Sequence, residues 1–181
     1  MQNLIDDAKP GGSVFLIGMM GSGKTTLGKR LARESHREFI DLDREIERRN
    51  GVSVATIFEI EGEPGFRLRE SQLLDELCHE PGLVIATGGG TVLNPFNRAR
   101  LLASGCVVYL HAAASLLYSR TRNDRSRPLL QVADPLGKIR QLLWQRDPLY
   151  REVADIIIEA GRDPGAVVDE LKIGITSVCR H

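Results

Sequence analysis

Short apolar runs alternate with longer amphipathic stretches along this chain. Runs of strand length fall at residues 14–17, 38–41, 83–86, 106–110 and 156–159. The stretches between them carry apolar residues at helical spacing. Because strands and helices alternate and most connections are short, the pattern predicts an α/β fold with a parallel sheet and helices on both faces.

The predicted helices contain two informative interruptions. One helical stretch meets the sequence Gly-Glu-Pro-Gly at residues 62–65, where we expect a break. A later helix starts at Asp134-Pro135, and its apolar stripe is interrupted by Arg146, close to Pro148, which we expect to disrupt the helix. A charged residue on an inward face needs a partner. Arg146 is therefore either an anion ligand in a cleft or one half of a structural ion pair.

One segment carries a specific nucleotide-binding motif. Residues 18–25 read GMMGSGKT, which matches G-x-x-x-x-G-K-[ST], between the first predicted strand and the first predicted helix. The glycines let backbone N–H groups converge, and the positive end of the helix favours anions. Lys24 can reach the outer phosphates of a nucleoside triphosphate, and the Thr25 hydroxyl can bind Mg²⁺.

Two further segments follow strands, at the edge where parallel sheets bind ligands. Asp41 and Asp43 are alternate residues at the end of the second strand, so both can face a cleft. Alternatively, Asp43 caps the helix predicted at residues 44–50. Three glycines at residues 88–90 leave the third strand, which indicates that a ligand approaches this backbone closely. A flexible turn is the alternative there.

Several arginines are candidates for binding anionic groups. Arg120 and Arg127 bound a turn-prone segment with four arginines in eight residues, which suits a mobile flap closing over a triphosphate. A solvated charged face is the alternative. Arg67 sits near the start of a helix, where a surface arginine is the default interpretation. Arg162 follows the last strand and is a weak signal by itself.

Composition narrows the class of protein. A chain of 181 residues suits one domain with its own core. Lys plus Arg equals Asp plus Glu at 24 each, so no net field attracts nucleic acid or an anionic membrane. Three scattered cysteines lack the spacing of a zinc site or of a disulfide framework, which favours reduced thiols in the cytoplasm.

The segments GMMGSGKTT, DLD, GFRLRE, TGGG, RPLL and RDPLY, in this order, resemble those of the shikimate kinases. These are small P-loop kinases related in architecture to the nucleoside monophosphate kinases. The resemblance covers residues 14–173 and implies a three-layer P-loop kinase fold with a five-stranded parallel sheet. It implies one domain over residues 1–181, with a loose arm at 1–12, a helical substrate-binding segment at 43–77, a mobile lid at 120–133 and a tail at 174–181.

The resemblance also implies Mg²⁺-dependent phosphoryl transfer from ATP to the 3-hydroxyl of shikimate, a step of chorismate and aromatic amino acid biosynthesis. The expected catalytic residues are Lys24, Asp43 and Arg127. The expected ATP ligands are Gly21, Ser22, Gly23, Lys24, Thr25, Thr26, Arg120, Arg127 and Arg162. The expected shikimate ligands are Asp43, Arg67, Gly88, Gly89, Gly90 and Arg146. The metal is expected at Thr25 and, through water, at Asp41.

Two other functions fit parts of the sequence. A gluconate-type or nucleotide kinase would use the same scaffold with another acceptor. A nucleotide-dependent switch would share the P-loop, but the chain lacks the guanine-reading N-K-x-D, and its D-x-x-G at residues 134–137 does not follow a strand. We expect a cytoplasmic monomer that binds ATP and shikimate and neither nucleic acid nor a membrane.

Overall fold

The computed structural model describes residues 12–178, which form one sheet with helices on both faces. The strands are β1 Ser13–Ile17, β2 Glu38–Asp41, β3 Leu83–Ala86, β4 Gly105–His111 and β5 Ile156–Glu159. Their order across the sheet is β2-β3-β1-β4-β5, and every neighbouring pair is parallel. The predicted α/β class and five-stranded parallel sheet are therefore confirmed.

The helices connect the strands in the expected alternation. Their bounds are α1 Lys24–Glu34, α2 Leu42–Asn50, α3 Val54–Leu77, α4 Pro95–Ser104, α5 Ala114–Thr121, α6 Pro135–Val153 and α7 Pro164–Val178. Two 3₁₀ turns lie at Thr91–Leu93 and Pro128–Leu130. The chain leaves β1, β2 and β3 at one edge of the sheet, so the loops after these strands meet there.

The core has two halves because the strands are buried on both faces. Phe15 and Ile17 of β1 pack with residues of α2, α3, α4, α5 and α6, whereas Val14 and Leu16 pack with residues of α1 and α7. Alternation along an extended strand sends successive side chains to opposite faces. All five residues of β1 are buried, which explains why its sequence is a continuous apolar run rather than an alternating one.

The start of α2 corrects the interpretation of the two aspartates. Asp41 ends β2 and is the N-cap of α2, where its side chain accepts a hydrogen bond from the Arg44 N–H. Asp43 lies inside the first turn of the helix. Both earlier arguments are therefore wrong: Asp43 is neither an alternate strand residue nor the cap. Leu42, the first apolar residue after the strand, is fully buried, and its packing into the core sets where α2 begins.

The two helices that contain an internal proline differ in their outcome: the break predicted in α3 is confirmed, and the disruption predicted in α6 is not. In α3, Gly62 has φ 70° and ψ −179°, so a kink separates two helical halves where a break was expected. In α6, the helix runs through Pro148, and the predicted disruption is wrong. Proline removes one helical hydrogen bond. The buried residues on either side, among them Leu142 and Tyr150, keep the helix packed on the core.

The chain ends differ from the expectation where the structure describes them. Helix α7 continues to Val178, so residues 174–178 of the predicted tail are helical. The predicted arm, except Gly12, and residues 179–181 lie outside the described residues. Cys78 is a free thiol, whereas Cys106 is disulfide-bonded, so the expectation of reduced thiols is wrong for Cys106. Across residues 12–178, none of the helices combines the length and apolar character needed to cross a bilayer.

Candidate nucleotide and acceptor site

A cleft of about 580 Å³ opens at the carboxyl edge of β1, β2 and β3. It is lined by segments far apart in the sequence, from the P-loop to the start of α7. All sixteen residues proposed from the sequence line this one cleft: Gly21, Ser22, Gly23, Lys24, Thr25, Thr26, Asp41, Asp43, Arg67, Gly88, Gly89, Gly90, Arg120, Arg127, Arg146 and Arg162.

The P-loop between β1 and α1 needs glycine for its backbone. Gly21 and Gly23 have φ of 79° and 97°, in the left-handed region that residues with a Cβ avoid. A Cβ on Gly21 would also lie 2.8 Å from Cγ2 of Thr121, so α5 closes one side of the loop. The loop ends at the N-terminus of α1, which favours bound anions.

Lys24 is held inside the loop that it belongs to. Its Nζ donates to the carbonyl oxygens of Gly18 and Met19, both at 2.8 Å. Burial lowers the pKa of Lys24 to about 8, and the positive charge of Arg127 adds to this effect. The negative charge of a bound polyphosphate would favour the protonated form of Lys24 and raise its pKa.

Thr25 and Asp41 form the oxygen pair that fits a magnesium ion. The Thr25 hydroxyl donates to Oδ2 of Asp41 at 2.6 Å, so both oxygens can be reached by one ion or by its bound water. No group of three or more His, Cys, Asp or Glu side chains able to hold a metal occurs within residues 12–178. Mg²⁺ often binds through one or two protein ligands together with water and substrate phosphates. The residues therefore fit Mg²⁺ bound with ATP.

Asp43 is a partly enclosed carboxylate with an unsatisfied oxygen. Its Oδ1 is buried and has no hydrogen-bond partner among the described residues. Burial raises the pKa of Asp43 to about 6, and the negative charges of Glu70 and Asp41 raise it further, against Lys24 and Arg127. The unpartnered oxygen can accept a hydrogen bond from a ligand. With its raised pKa, this carboxylate is also a better base than an ordinary aspartate.

Arg146 projects from α6 into the cleft and is only 2% exposed. Its Nε and Nη1 have no hydrogen-bond partner in the described part of the chain, and no acidic side chain there forms an ion pair with it. The structural ion pair considered above is therefore wrong. An unpaired buried guanidinium is costly, so these N–H groups are available to bind an anion in the cleft.

Arg67 is mostly buried, so the default of a solvated arginine is wrong. Its side chain is 21% exposed and pairs with Glu70 at 2.7 Å and with Glu63 at 3.1 Å. Glu70 is fully buried and also accepts from the Thr91 hydroxyl at 2.6 Å. The sequence analysis missed Glu70, although it interrupts the buried stripe of α3 that includes Phe66, as Arg146 interrupts that of α6.

The glycines after β3 are required by the charged side chains packed against them. A Cβ on Gly88 would lie 2.3 Å from Oε1 of Glu70, and a Cβ on Gly90 would lie 2.2 Å from Nη2 of Arg67. A side chain at either position would displace the Glu70 carboxylate or the Arg67 guanidinium. The flexible-turn alternative is therefore wrong, since this backbone is closely surrounded.

The arginines from the lid and from the last loop meet the P-loop end of the cleft. Arg120 donates to the carbonyl oxygens of Gly21, at 3.1 Å, and Ala160, at 3.4 Å. Arg162 donates to the carboxylate of Glu170 in α7. Arg127 donates to Asp124 at 3.0 Å and lies within the field of Lys24. Three arginine side chains therefore lie at the P-loop end of the cleft.

Comparison with known proteins decides the family. The model of the family described as shikimate kinase matches residues 20–175. The chain belongs to the shikimate kinase family. The shikimate kinase of Aromatoleum aromaticum is 58% identical over 173 residues, covering 93% of this chain and 99% of the relative. That of Dechloromonas aromatica is 56% identical over 147 residues, covering 81% of this chain and 80% of the relative.

Solved structures agree with this membership. The shikimate kinase from Acinetobacter baumannii in complex with shikimate superposes with a TM-score of 0.90 at 46% identity, covering 94% of this chain and 95% of the other. A gluconokinase from Sinorhizobium meliloti has a TM-score of 0.63 at 19% identity over 94% of this chain and 95% of the other. The shared fold thus extends to kinases of other acceptors, whereas the sequence similarity follows the shikimate kinases.

Proposed function

We propose that this chain transfers the terminal phosphoryl group of ATP to the 3-hydroxyl of shikimate. Membership of the shikimate kinase family and the similarity to an enzyme crystallised with shikimate support the acceptor. The single observation that carries the proposal is Arg146, a buried guanidinium with two unpaired N–H positions facing the cleft. Oxygen atoms of a bound ligand, its carboxylate among them, can accept hydrogen bonds from these positions.

The acceptor is held between opposite chemical groups. Arg146 and Arg67 bind its carboxylate, and Asp43 accepts a hydrogen bond from a ring hydroxyl. The glycine loop at residues 88–90 lets Glu70, Arg67 and Arg146 lie close to its backbone, which brings these charged groups to the acceptor side of the cleft. This arrangement orients one hydroxyl toward the P-loop, which is the main requirement for phosphoryl transfer.

The donor is held by the P-loop backbone and its cations. The N–H groups of the P-loop surround the outer phosphates, and Lys24 turns from the carbonyl oxygens of Gly18 and Met19 to the phosphate oxygens. Arg120 and Arg127 neutralise the charge that accumulates on the departing ADP. Arg162 lies at the adenine side of the same wall.

In the reaction, the 3-oxygen of shikimate forms a bond to the terminal phosphorus as the bond between that phosphorus and the bridging oxygen of ADP breaks. The hydroxyl proton passes to Asp43, whose pKa of about 6 suits proton transfer near neutral pH better than that of an ordinary aspartate. Thr25 and, through water, Asp41 would hold Mg²⁺, which supplies charge neutralisation on the phosphates.

The proposal extends to the state and location of the protein. We propose that the protein is a monomer. Sedimentation equilibrium measures this, and a dimer would overturn it.

A cytoplasmic location is supported by the supply of ATP there, whereas the disulfide at Cys106 runs against it, since reducing compartments disfavour disulfides. Fractionation of cells decides the location.

A coupled assay of ADP release with a panel of acceptors tests the function. The panel contains shikimate, gluconate and nucleoside monophosphates, each with and without Mg²⁺. We expect turnover with shikimate alone, and only when Mg²⁺ is present. Turnover with gluconate but not with shikimate would overturn the acceptor and leave the ATP site intact. Tight GTP binding without turnover of any acceptor would favour a switch.

A further inference from the structure

Tyr150 on α6 bonds directly to the glycine loop of the acceptor site. It is fully buried, and its hydroxyl donates to the carbonyl oxygen of Gly89. Tyr150 follows Arg146 by four residues, so both side chains project from the same face of the helix. One helical turn therefore presents a guanidinium with two unpartnered nitrogen atoms and a hydroxyl that bonds to the loop and also lies within hydrogen-bonding reach of Arg146.

Gly89 lies where the two ends of the cleft meet. A Cβ built on it would lie 3.4 Å from Nη1 of Arg146 and 3.4 Å from the backbone nitrogen of Met20 in the P-loop. A small shift of this peptide would therefore change the spacing between acceptor and donor. Such spacing controls phosphoryl transfer, because the reacting atoms must be held close and in line.

We propose that Tyr150 is a positioning residue: its hydroxyl fixes the Gly89 peptide so that the glycine loop and Arg146 together form the acceptor surface. No peptide bond among the described residues is cis, and a trans peptide points its carbonyl and N–H in opposite directions. A carbonyl held by Tyr150 leaves the next N–H, that of Gly90, directed away from α6. The inference rests on the proposed function, because it assigns the fixed loop to the acceptor.

The surroundings of Tyr150 make it rigid and keep it protonated. Its ring stacks on Tyr109 at 4.8 Å between ring centroids. Burial raises the pKa of Tyr150 to about 12, although the nearby Arg146 lowers it. The hydroxyl therefore remains a donor throughout the working range of pH. A stacked, protonated tyrosine holds a carbonyl at a fixed place with little freedom to rotate.

Tyr109 provides a matched control within the same stacked pair. It is also buried, at 1% exposed, but its hydroxyl donates to Oδ1 of Asp147 at 2.8 Å, away from the glycine loop. Asp147 keeps a second partner, Arg151, at 2.7 Å. Both Tyr150→Phe and Tyr109→Phe remove one buried hydroxyl and keep the aromatic stack. The main difference is that the Gly89 carbonyl loses its partner in the first variant and the Asp147 carboxylate in the second.

Steady-state kinetics of the full chain with ATP and shikimate test the inference. We expect Tyr150→Phe to raise the KM for shikimate about tenfold, as for loss of one buried hydrogen bond, with the KM for ATP within about twofold of the parent. Tyr109→Phe should leave both KM values within about twofold. Equal changes of both KM values in Tyr150→Phe, or the same shift in Tyr109→Phe, would show a merely structural role and overturn the inference.

Amide hydrogen exchange of the ligand-free protein gives a readout that needs no substrate. The Thr91 and Leu93 N–H groups donate to the carbonyl oxygens of Gly88 and Gly90, so they report the order of the loop. Tyr150→Phe should speed their exchange at least fivefold relative to Tyr109→Phe, because an unheld peptide opens more often. Unchanged exchange would overturn the positioning role. If the parent releases no ADP with shikimate, the proposed function fails, and exchange still decides the role of Tyr150.

Discussion

The donor and acceptor ends of the cleft are built in opposite ways. The donor end is centred on the P-loop, where Lys24 donates to two carbonyl oxygens and Thr25 to Asp41, and where the buried Ser22 hydroxyl has no partner among the described residues. The acceptor end is assembled from α2, α3, α6 and the loop after β3. It leaves buried polar atoms of Asp43 and Arg146 without a partner.

This difference shows how each end meets its ligand. The donor end must exchange internal hydrogen bonds for bonds to phosphate, so binding of ATP involves rearrangement of Lys24. The acceptor end need not break internal bonds at Oδ1 of Asp43 or at Nε and Nη1 of Arg146, because these atoms have no partner in the described part of the chain. Unpartnered atoms of this kind favour binding, and they cost stability in the ligand-free protein, where the desolvated charges have no partner.

The largest expected effect concerns the lid arginine at the donor end. Arg127→Ala should lower kcat at least about a hundredfold, because a cation near the transferred phosphoryl group is lost. The fold should remain intact, since the Arg127 side chain bonds Asp124 of the same segment and its backbone bonds are kept in the variant. Single-turnover and steady-state rates measure this. Arg125→Ala, at an exposed position of the same lid, is the control and should keep its rate. Unchanged turnover in Arg127→Ala would remove this residue from the mechanism.

Arg146→Ala should separate the two ends most clearly. We expect the KM for shikimate to rise about a hundredfold, as for two charged hydrogen bonds, with a far smaller change in the KM for ATP. Arg140→Ala, on the exposed side of the same helix, should change neither. A similar rise of both KM values would contradict the assignment of Arg146 to the acceptor.

The stability cost at the acceptor end can be measured through Asp43. Its pKa is raised from 3.8 to about 6, so the folded state binds a proton between these values and stability falls as the pH rises through this window. Because the carboxylate is partly open to the cleft, we expect a cost of about 2 kcal/mol above pH 6, less than the full shift implies. Asp43→Asn should therefore raise the Tm of the ligand-free protein more at pH 7.5 than at pH 4.5.

Thermal unfolding of Asp43→Asn at both pH values, beside Glu59→Gln, completes this comparison. Glu59 is an exposed residue of α3, so its variant should shift the Tm equally at the two pH values. A difference between Asp43→Asn and the parent that grows as the pH falls would have the opposite sign and would refute the cost assigned to Asp43.

The smallest expected effect is a proton taken up at the donor end. The pKa of Lys24 is about 8, and bound phosphates favour its charged form. Binding of ATP with Mg²⁺ at pH 8 should therefore take up about half a proton. Calorimetric titrations in two buffers of different ionisation enthalpy measure this uptake. Lys24→Arg keeps the charge without titrating near pH 8, so the same uptake in that variant would contradict the rearrangement of Lys24.

Local sequence predicted the donor end because its function lies in consecutive backbone groups. The P-loop motif places glycines, lysine and threonine within nine residues, and β1 and α1 flank it as expected. Side-chain roles at the acceptor end were harder to predict. Arg67 had the pattern of a surface residue, and its burial against Glu70 depends on how α3 packs beside the glycine loop.

A polar residue that interrupts an apolar stripe was the most useful sequence signal, although it was applied to only one of two such residues. It identified Arg146, and the same signal at Glu70 was overlooked. The strand argument for Asp41 and Asp43 reached the right edge of the sheet for a wrong reason, because α2 begins two residues earlier than predicted. No sequence pattern indicated that Tyr150 would meet Gly89, since sixty-one residues separate them.

The sequence by itself determined the alternation of strands and helices, the phosphate-binding loop and the kinase family, because each depends on residues close together in the chain or on ordered motifs. Tertiary structure alone decided that Asp43, Arg67 and Arg146 converge on one cleft and which of their atoms lack partners. Convergence and desolvation depend on the packing of helices distant in sequence, and such packing is a property of the whole core rather than of any segment.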